Sequence, residues 1–339
     1  MENLILHISL ALILFFIQNW IGEKSYSKGY IRFSLLDDRD EALSINFAIK
    51  VFGPIVFLIL TVASLQYYKI NSVINNIINV VYYYLAIRMI LIIAYERVMI
   101  VNWIRIISHY VAIIIVSIII YKNFITSVET LLPDFSEIKN EIWLLVIVFI
   151  YQIGNGIQDK QIANPLYEPE QAFLPELKNR KKKYILKKHK EFEEKYARTI
   201  NEISDNDYSF NLIMYSILIF ENFNRPRIIR WFERIWIRFS KEDLTLGIMQ
   251  TKSSTPISDT ESVKKGTQNL FEKYLEYKSE EYTCSLFRRV IKRHNPDKKY
   301  VRQVLFISKA IIDNQLKKED YSGIFSEIKS EFNLYDYYD

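Results

Sequence analysis

The residues whose types and spacing could support chemistry lie between Phe210 and Gln250. Glu221 stands near the end of an apolar stretch with a helical period, and the break Asn224-Arg225-Pro226 follows it. Proline lacks a backbone donor and fits the first turn of a helix, so a second helix is predicted over residues 226–239. A carboxylic acid on an apolar helix can serve as a general acid, and Gln250, which ends Gly247-Ile248-Met249-Gln250, can position a substrate.

A glutamate that closes a buried helix, followed by a Gly-Ile-Met-Gln segment, resembles the lysozyme and lytic transglycosylase superfamily. His294-Asn295-Pro296 with Tyr300 loosely resembles that superfamily's later Tyr-Asn element, and the resemblance covers roughly residues 200–315. It implies a lysozyme-like fold in which Glu221 is the general acid of a peptidoglycan glycosidase, while Gln250 and Ser253-Ser254 hold the sugar. The alternative is a structural Glu221 paired with Arg225 or Arg227.

Basic residues recur along the second predicted helix and in a later one. Arg227, Arg230, Arg234 and Arg238 follow one another at steps of three and four, which predicts one stripe, with Trp231 and Trp236 beside it. Such a stripe is either a solvated face or a surface that follows phosphates while aromatic rings stack on bases. Two basic clusters in one small domain favour nucleic-acid binding. The predicted ligand-binding residues are Arg225, Arg227, Arg230, Trp231, Arg234, Gln250, Ser253, Ser254, Arg288, Arg289, Lys292 and Arg293.

The composition divides the 339 residues into two unlike parts. Apolar residues crowd before about residue 157 and charged residues after it, with a net charge of +5. This division, the helical period of the segments and the resemblance above together predict an all-α fold. It has a multi-span membrane domain over residues 1–157, a connector and basic stalk over residues 158–203, and a helical, lysozyme-like cytosolic domain over residues 204–339. One cysteine and four scattered histidines show no metal-ligand spacing, so no metal or cofactor is expected.

Five apolar runs are predicted to cross a membrane, at residues 4–21, 51–68, 77–95, 106–121 and 142–157. A charge inside such a run costs at least about 2.5 kcal/mol if it faces lipid, so Arg88 is expected to face protein or water. Asn79, Arg88 and His109 are the candidate pore or gate residues. The alternative is that Arg88 only holds helices together.

The Lys and Arg residues of the connecting loops predict the orientation. Seven lie on the side shared with the C-terminal half and three on the other, which favours a bacterial inner-membrane protein with a cytoplasmic C-terminal domain. If the Arg88 helix does not cross, the loop count turns against this orientation. The basic run over residues 178–190 then remains the main argument, as a segment that faces anionic lipid.

Several spans with an intramembrane arginine, a basic stalk and an arginine-rich cytosolic domain together resemble the membrane effectors of bacterial anti-phage defence, most closely the Hailong type. The resemblance rests on architecture. It implies an ion channel whose cytosolic domain holds a single-stranded DNA oligomer made by a partner nucleotidyltransferase, and which is shut while the DNA is bound. A pore of this kind needs several subunits, so a homo-oligomer such as a tetramer is expected. A cytosolic location disfavours the glycosidase, since cell-wall glycan lies across the membrane.

Overall fold

The computed structural model describes residues 2–24, 43–70, 74, 76–126, 141, 143–151, 175–239, 243–279 and 286–315. These residues are mostly helical, and they include one antiparallel sheet of two strands. They form two compact units. Unit 1 comprises Met1–Ile92 and Val101–Phe173, and unit 2 comprises Ile93–Ile100 and Leu174–Asp339. The short segment Ile93–Ile100 therefore belongs to unit 2, although its flanking helices lie in unit 1.

Unit 1 is built from long apolar helices, α1 (Glu2–Lys24), α2 (Leu43–Tyr67), α3 (Asn79–Ala94) and α4 (Trp103–Ile120). A π-helical turn, Tyr121–Ile125, extends α4, and residues 143–151 are also helical. Three stretches are long and apolar enough to cross a membrane, namely Asn3–Ile21, Lys50–Tyr67 and Trp103–Ile125. This supports the prediction of a membrane protein with transmembrane helices.

The two other predicted spans differ from this pattern. The helix that carries Arg88, α3, has 16 residues, whereas an untilted span needs about 20. The run predicted over residues 142–157 is described only as far as residue 151, so most of its second half lies outside the described residues.

The helices of unit 1 share one apolar core. Leu14, Ile55, Val81 and Ile113, one from each of α1 to α4, are buried in it. Helix α2 packs against both α1 and α4. Other apolar side chains on these helices point outward, as Ile115 on α4 does with 52% exposure, and this arrangement fits a lipid surrounding.

Unit 2 surrounds one apolar helix. Its elements are α5 (Pro175–Ser204), α6 (Tyr208–Asn224), α7 (Arg227–Trp236), β1 (Leu244–Leu246), β2 (Thr251–Ser253), α8 (Asp259–Ser279), α9 (Leu286–His294) and α10 (Lys298–Gln315). Helix α6 begins where the Asp207 side chain accepts a hydrogen bond from the Phe210 amide at 3.0 Å. From there to Phe223 it is buried on nearly every side, which is typical of a helix that is apolar all round.

Helix α5 differs from the exposed stalk that its charges predicted. Tyr184, Ile185, Phe192 and Tyr196 lie on its apolar face and are buried, and the helix packs against α6, α8 and α10. Lys181 and Lys188 lie on the same buried face, while Lys183, Lys187 and Lys190 are exposed. Because of its many charged residues the helix was predicted as a basic stalk, but its apolar face belongs to the core of unit 2.

A hairpin joins α7 to α8 and holds the Gly-Ile-Met-Gln segment as its turn. Strands β1 and β2 pair antiparallel, so residues 247–250 form the loop between them. Gly247 has a φ of +70°, and an added Cβ would lie 2.3 Å from the Ser262 Cβ. The Ser262 hydroxyl donates to the Leu246 carbonyl at 3.2 Å and accepts from the Met249 amide at 3.0 Å. This glycine lets the turn pack directly on α8.

Candidate functional site: a polar cleft at Glu221

A cleft of about 680 Å³ opens in unit 2 between the hairpin, α8 and the end of α9, with Glu221 at its base. The side chains around it are mostly polar, and many of them are amides, hydroxyls or cations. The lining residues are Glu221, Met249, Gln250, Thr251, Lys252, Gly266, Asn269, Leu270, Glu272, Lys273, Arg293, His294 and Asn295. This size and this lining suit a polar ligand.

The Glu221 carboxylate is buried and fully engaged by protein groups. Its side chain is 3% exposed. Oε1 accepts a hydrogen bond from the Tyr300 hydroxyl at 2.8 Å and lies 3.2 Å from His294 Nε2, while Oε2 accepts one from Gln250 Nε2 at 2.5 Å. Both carboxylate oxygens therefore have protein partners. A buried charge requires such partners, because an unpaired one would be costly.

Tyr300 is a permanent donor to this carboxylate. It is buried on α10, and its ring packs edge-on against Phe220 at 4.7 Å between centroids. Burial, and then the neighbouring Glu221 carboxylate, raise the pKa of the Tyr300 phenol well above its usual range. The hydroxyl keeps its proton across the physiological range and fixes the orientation of Glu221.

The outer walls of the cleft carry more positive than negative charge. Lys252 follows the hairpin turn, Lys273 lies on α8 and Arg293 lies near the end of α9, while Glu272 is the acid among them. Lys273 also pairs with Glu276 at 2.5 Å. Lys252 and Arg293 are exposed, and they are placed to meet an anionic ligand from two sides.

Of the predicted site residues, Glu221, Gln250 and Arg293 meet in this cleft. Arg225 does not pair with Glu221. Its Nε donates to Glu233 Oε1 at 3.1 Å, and its Nη2 bonds both the second Glu233 oxygen and the Thr245 carbonyl. The structural alternative for Glu221, a pair with Arg225 or Arg227, is therefore replaced by the contacts to Gln250, His294 and Tyr300.

The predicted arginine stripe is divided. Arg230 is 1% exposed: its Nε donates to Asp259 Oδ1 at 3.1 Å, its Nη2 donates to Asn222 Oδ1 at 3.1 Å, and its Nη1 bonds the Arg225 carbonyl. Arg230 therefore ties α6, α7 and α8 together and does not face a ligand. Arg227, with a 62% exposed side chain, and Arg234 remain at the edge of α7, and Trp231 is half-exposed.

The remaining predicted ligand-binding residues lie outside the cleft lining. The Ser253 hydroxyl donates to the Thr255 carbonyl at 2.7 Å, and Ser254 is exposed beside it. Arg289 lies with its guanidinium 4.2 Å from the centre of the Tyr277 ring. Arg288 is half-buried and Lys292 is exposed on α9.

The predicted pore or gate residues lie in unit 1. Arg88 Nη1 donates to the hydroxyl of Tyr84, one helical turn earlier on α3, at 2.8 Å. Asn79 is the first residue of α3 and is half-buried, and His109 on α4 is buried. Arg88 is half-buried, and the pore role of the three residues stays a prediction.

The segment Ile93–Ile100 is held firmly within unit 2. Lys188 Nζ pairs with Glu96 at 2.5 Å and Arg227 Nε lies 3.9 Å from the other Glu96 oxygen. Burial opposes ionisation of Glu96, but Lys188 and Arg227 outweigh it and lower the pKa of this carboxyl. Arg97 bonds the Phe223 carbonyl, and its guanidinium lies 3.4 Å from the centre of the Phe223 ring.

Several lining residues were not selected from the sequence. Asn269, Glu272 and Lys273 lie on α8 at a spacing of three and one, beside Gly266, which an added Cβ would bring within 2.8 Å of Met249. A glycine inside an otherwise regular helix is a signal of close packing, and here it marks the face that lines the cleft. Lys252 carried no signal of its own.

Comparisons of the chain with protein-family models, with curated proteins and with solved structures find no match.

Proposed function

We propose that the chain is a membrane effector, an oligomeric ion channel that binds a single-stranded oligonucleotide in the Glu221 cleft and is shut by it. The observation that carries the proposal is the cleft itself. It combines a buried, fully paired carboxylate at its base with Lys252, Lys273 and Arg293 on its walls. Cations on the walls can neutralise phosphates, and the amides of Gln250, Asn269 and Asn295 can hydrogen-bond base edges.

The paired state of Glu221 favours binding over catalysis. A general acid must present a proton to the leaving oxygen of its substrate. Here Tyr300 and His294 occupy one carboxylate oxygen and Gln250 occupies the other. An anchored carboxylate of this kind can instead orient Gln250 and His294 toward a ligand, in the way that supporting groups fix the residues that touch it.

Binding is tested by the salt dependence of the affinity. The full chain in mild detergent is titrated with a fluorescent single-stranded DNA oligomer, and anisotropy is measured over a range of salt concentrations. Each phosphate that a cation neutralises adds about 0.7 to the steepness of log K against log salt, so Arg293→Gln and Lys252→Gln should each flatten the slope by that amount. Arg227→Gln, which removes an exposed arginine outside the cleft, is the matched control. If only Arg227→Gln flattened the slope, the oligonucleotide site would lie on α7 and not in the cleft.

The membrane part of the proposal rests on the three membrane-length helices and on the segment Ile93–Ile100. This segment connects α3 to α4 in the chain, and within unit 2 it is bound by Lys188 and by the Phe223 carbonyl. Phe223 follows Glu221 by two residues on α6. A ligand that shifts the end of α6 would therefore act directly on the connection between two apolar helices.

Gating is a shift between two populations. A ligand that moves the balance from 1:99 to 99:1 must bind the shut form more tightly by about 5.5 kcal/mol. We expect ion flux from proteoliposomes to fall when the oligonucleotide is added. Glu96→Gln, which weakens the contacts that hold the segment, should keep oligonucleotide affinity while reducing this inhibition. If the ion flux of the wild-type did not change when the oligonucleotide was bound, the gating mechanism would be contradicted.

A membrane-anchored, lysozyme-like glycosidase is the second candidate, and the position of Glu272 favours it. This acid lines the same cleft as Glu221 and gives the site two carboxylates, the number that most glycosidases use. Under this alternative Glu221→Gln abolishes release of sugar fragments from peptidoglycan. Under the binding proposal the wild-type releases none, and Glu221→Gln retains oligonucleotide affinity within a few-fold.

A further inference from the structure

Helix α7 presents most of its large apolar residues to solvent, whereas Arg230 is buried against the protein. Phe232 is 59% exposed, Trp236 is 68% exposed, and Phe239, just after the helix, is 81% exposed. Arg230 and Ile237, on the opposite side, are buried against unit 2. A solvated helix normally has the reverse arrangement, so this outward apolar face needs an occupant.

The residues of this outward face follow a helical spacing. Ile228, Trp231, Phe232, Ile235 and Phe239 recur at steps of one, three and four, and Trp231 packs edge-on against Phe232 at 4.9 Å between centroids. They form a continuous apolar surface of aromatic and aliphatic groups. Separate stacking platforms for bases would not need the isoleucines.

Basic side chains border one edge of the same surface. Arg227, Arg234 and Arg238 lie at steps of seven and four, which places them together along one flank of the apolar face. Arg227 and Arg238 are exposed, and Arg234 is half-exposed with its Nε directed to the Arg230 carbonyl at 3.3 Å. Tryptophan and phenylalanine beside arginine are the residues that anchor helices at the boundary between headgroups and acyl chains.

Within unit 2, α7 contacts the segment that connects α3 to α4 in the chain. Arg227 Nε lies 3.9 Å from Glu96 within unit 2. Glu96 is two residues beyond Ala94, the last residue of α3, and seven residues before Trp103, the first of α4. The first turn of α7 therefore lies beside the segment that follows α3 and precedes α4 in the chain.

We propose that α7 is an interfacial anchor, which lays its outward face of Trp231, Phe232, Trp236 and Phe239 into the surface of a bilayer that contains anionic lipid. The arginine flank meets the headgroups, and the aromatic rings enter to a depth of about 5–10 Å, as in other interfacial helices. This inference is independent of the ligand of the Glu221 cleft.

The test places spin labels on the full chain in liposomes. Cys284 is first replaced by serine, and single cysteines are introduced as Phe232→Cys on the outward face, Ile115→Cys on α4 and Arg198→Cys on α5. Ile115 is a lipid-facing reference and Arg198, with a 91% exposed side chain, is an aqueous one. Collision rates with oxygen and with a water-soluble nickel chelate give a depth parameter for each label. The three residues replaced by cysteine are exposed, so the labels do not disturb a core.

We expect the label at residue 232 to give a positive depth parameter, as at residue 115, and the label at residue 198 to give a negative one. The value at residue 232 should rise when phosphatidylglycerol is added to phosphatidylcholine vesicles, and Arg227→Gln with Arg234→Gln and Arg238→Gln should abolish this rise. A negative value at residue 232 would overturn the proposal. A label that neither reagent reaches would also overturn it, because it would indicate a second protein copy on this face. A label that is protected only when single-stranded DNA is added would contradict it as well.

Discussion

Replacing Arg230 by alanine should destabilise unit 2 far more than replacing any other arginine of the predicted stripe. The guanidinium is 1% exposed and reaches Asp259 on α8, Asn222 on α6 and the Arg225 carbonyl. Removing one partner of a buried ion pair leaves the other charge uncompensated, which costs about 3–5 kcal/mol. For a unit of this size that corresponds to a fall of roughly 6–20 °C in the unfolding temperature.

The assay is thermal unfolding of the full chain in detergent, followed by tryptophan fluorescence. Arg227→Ala is the matched control, because its charge is exposed and its 3.9 Å pair with Glu96 is worth at most about 1 kcal/mol. Arg230→Met combined with Asp259→Ala should be less destabilising than the two single changes added together. If Arg230→Ala and Arg227→Ala both lowered the unfolding temperature only slightly, the structural role of Arg230 would be refuted, and its side chain would have to be exposed.

Three further changes test the site and its supports. The difference in stability between the wild-type and Lys188→Met should shrink as the pH falls below 4.5. The pKa of Glu96 is lowered in the folded state, so the Glu96–Lys188 pair stabilises the fold above pH 4.5 and this contribution is lost as the pH falls through the lowered pKa. A difference in unfolding temperature that does not depend on pH would contradict this. Gly247→Ala should cost about 1–3 kcal/mol and weaken ligand binding, because φ is +70° and the new methyl group meets Ser262, whereas Ser254→Ala in the neighbouring exposed loop should do neither. Tyr300→Phe removes a 2.8 Å donor to a buried carboxylate and should cost about 1.5–3 kcal/mol of unfolding free energy in urea. The loss should be smaller when Glu221 is already replaced by glutamine. Identical losses in both backgrounds would show that the two side chains do not interact.

The sequence predicted the centre of the cleft better than its walls. Glu221 and Gln250 carried local signals, a break after an apolar helix and a glycine that opens a turn, and the structure joins them by a hydrogen bond. The start of α8 is equally local, since the Ser258 and Glu261 side chains cap one another's backbone amides at 3.1 and 2.7 Å. Short-range chemistry of this kind can be recognised without knowledge of the fold.

Features that depend on distant partners could not be predicted. The spacing of the arginines indicates that they share one side of α7, but only the partner Asp259, 29 residues away, determines that Arg230 points inward. The contact between Arg97 and Phe223 spans 126 residues and places the α3–α4 connection within unit 2. Charged residues on α5 concealed its apolar face for the same reason, because burial depends on what the helix packs against.

The central claim is that the Glu221 cleft holds a single-stranded oligonucleotide, and photo-crosslinking tests it most directly. The full chain in detergent is irradiated with an oligomer that contains 4-thiothymidine, and the linked peptides are mapped by mass spectrometry. We expect adducts on residues 249–252 of the hairpin, on residues 266–273 of α8 and on residues 293–295, and we expect Arg293→Gln to reduce their yield. Adducts confined to α7, or an oligomer that forms none at concentrations where it binds, would contradict the assignment.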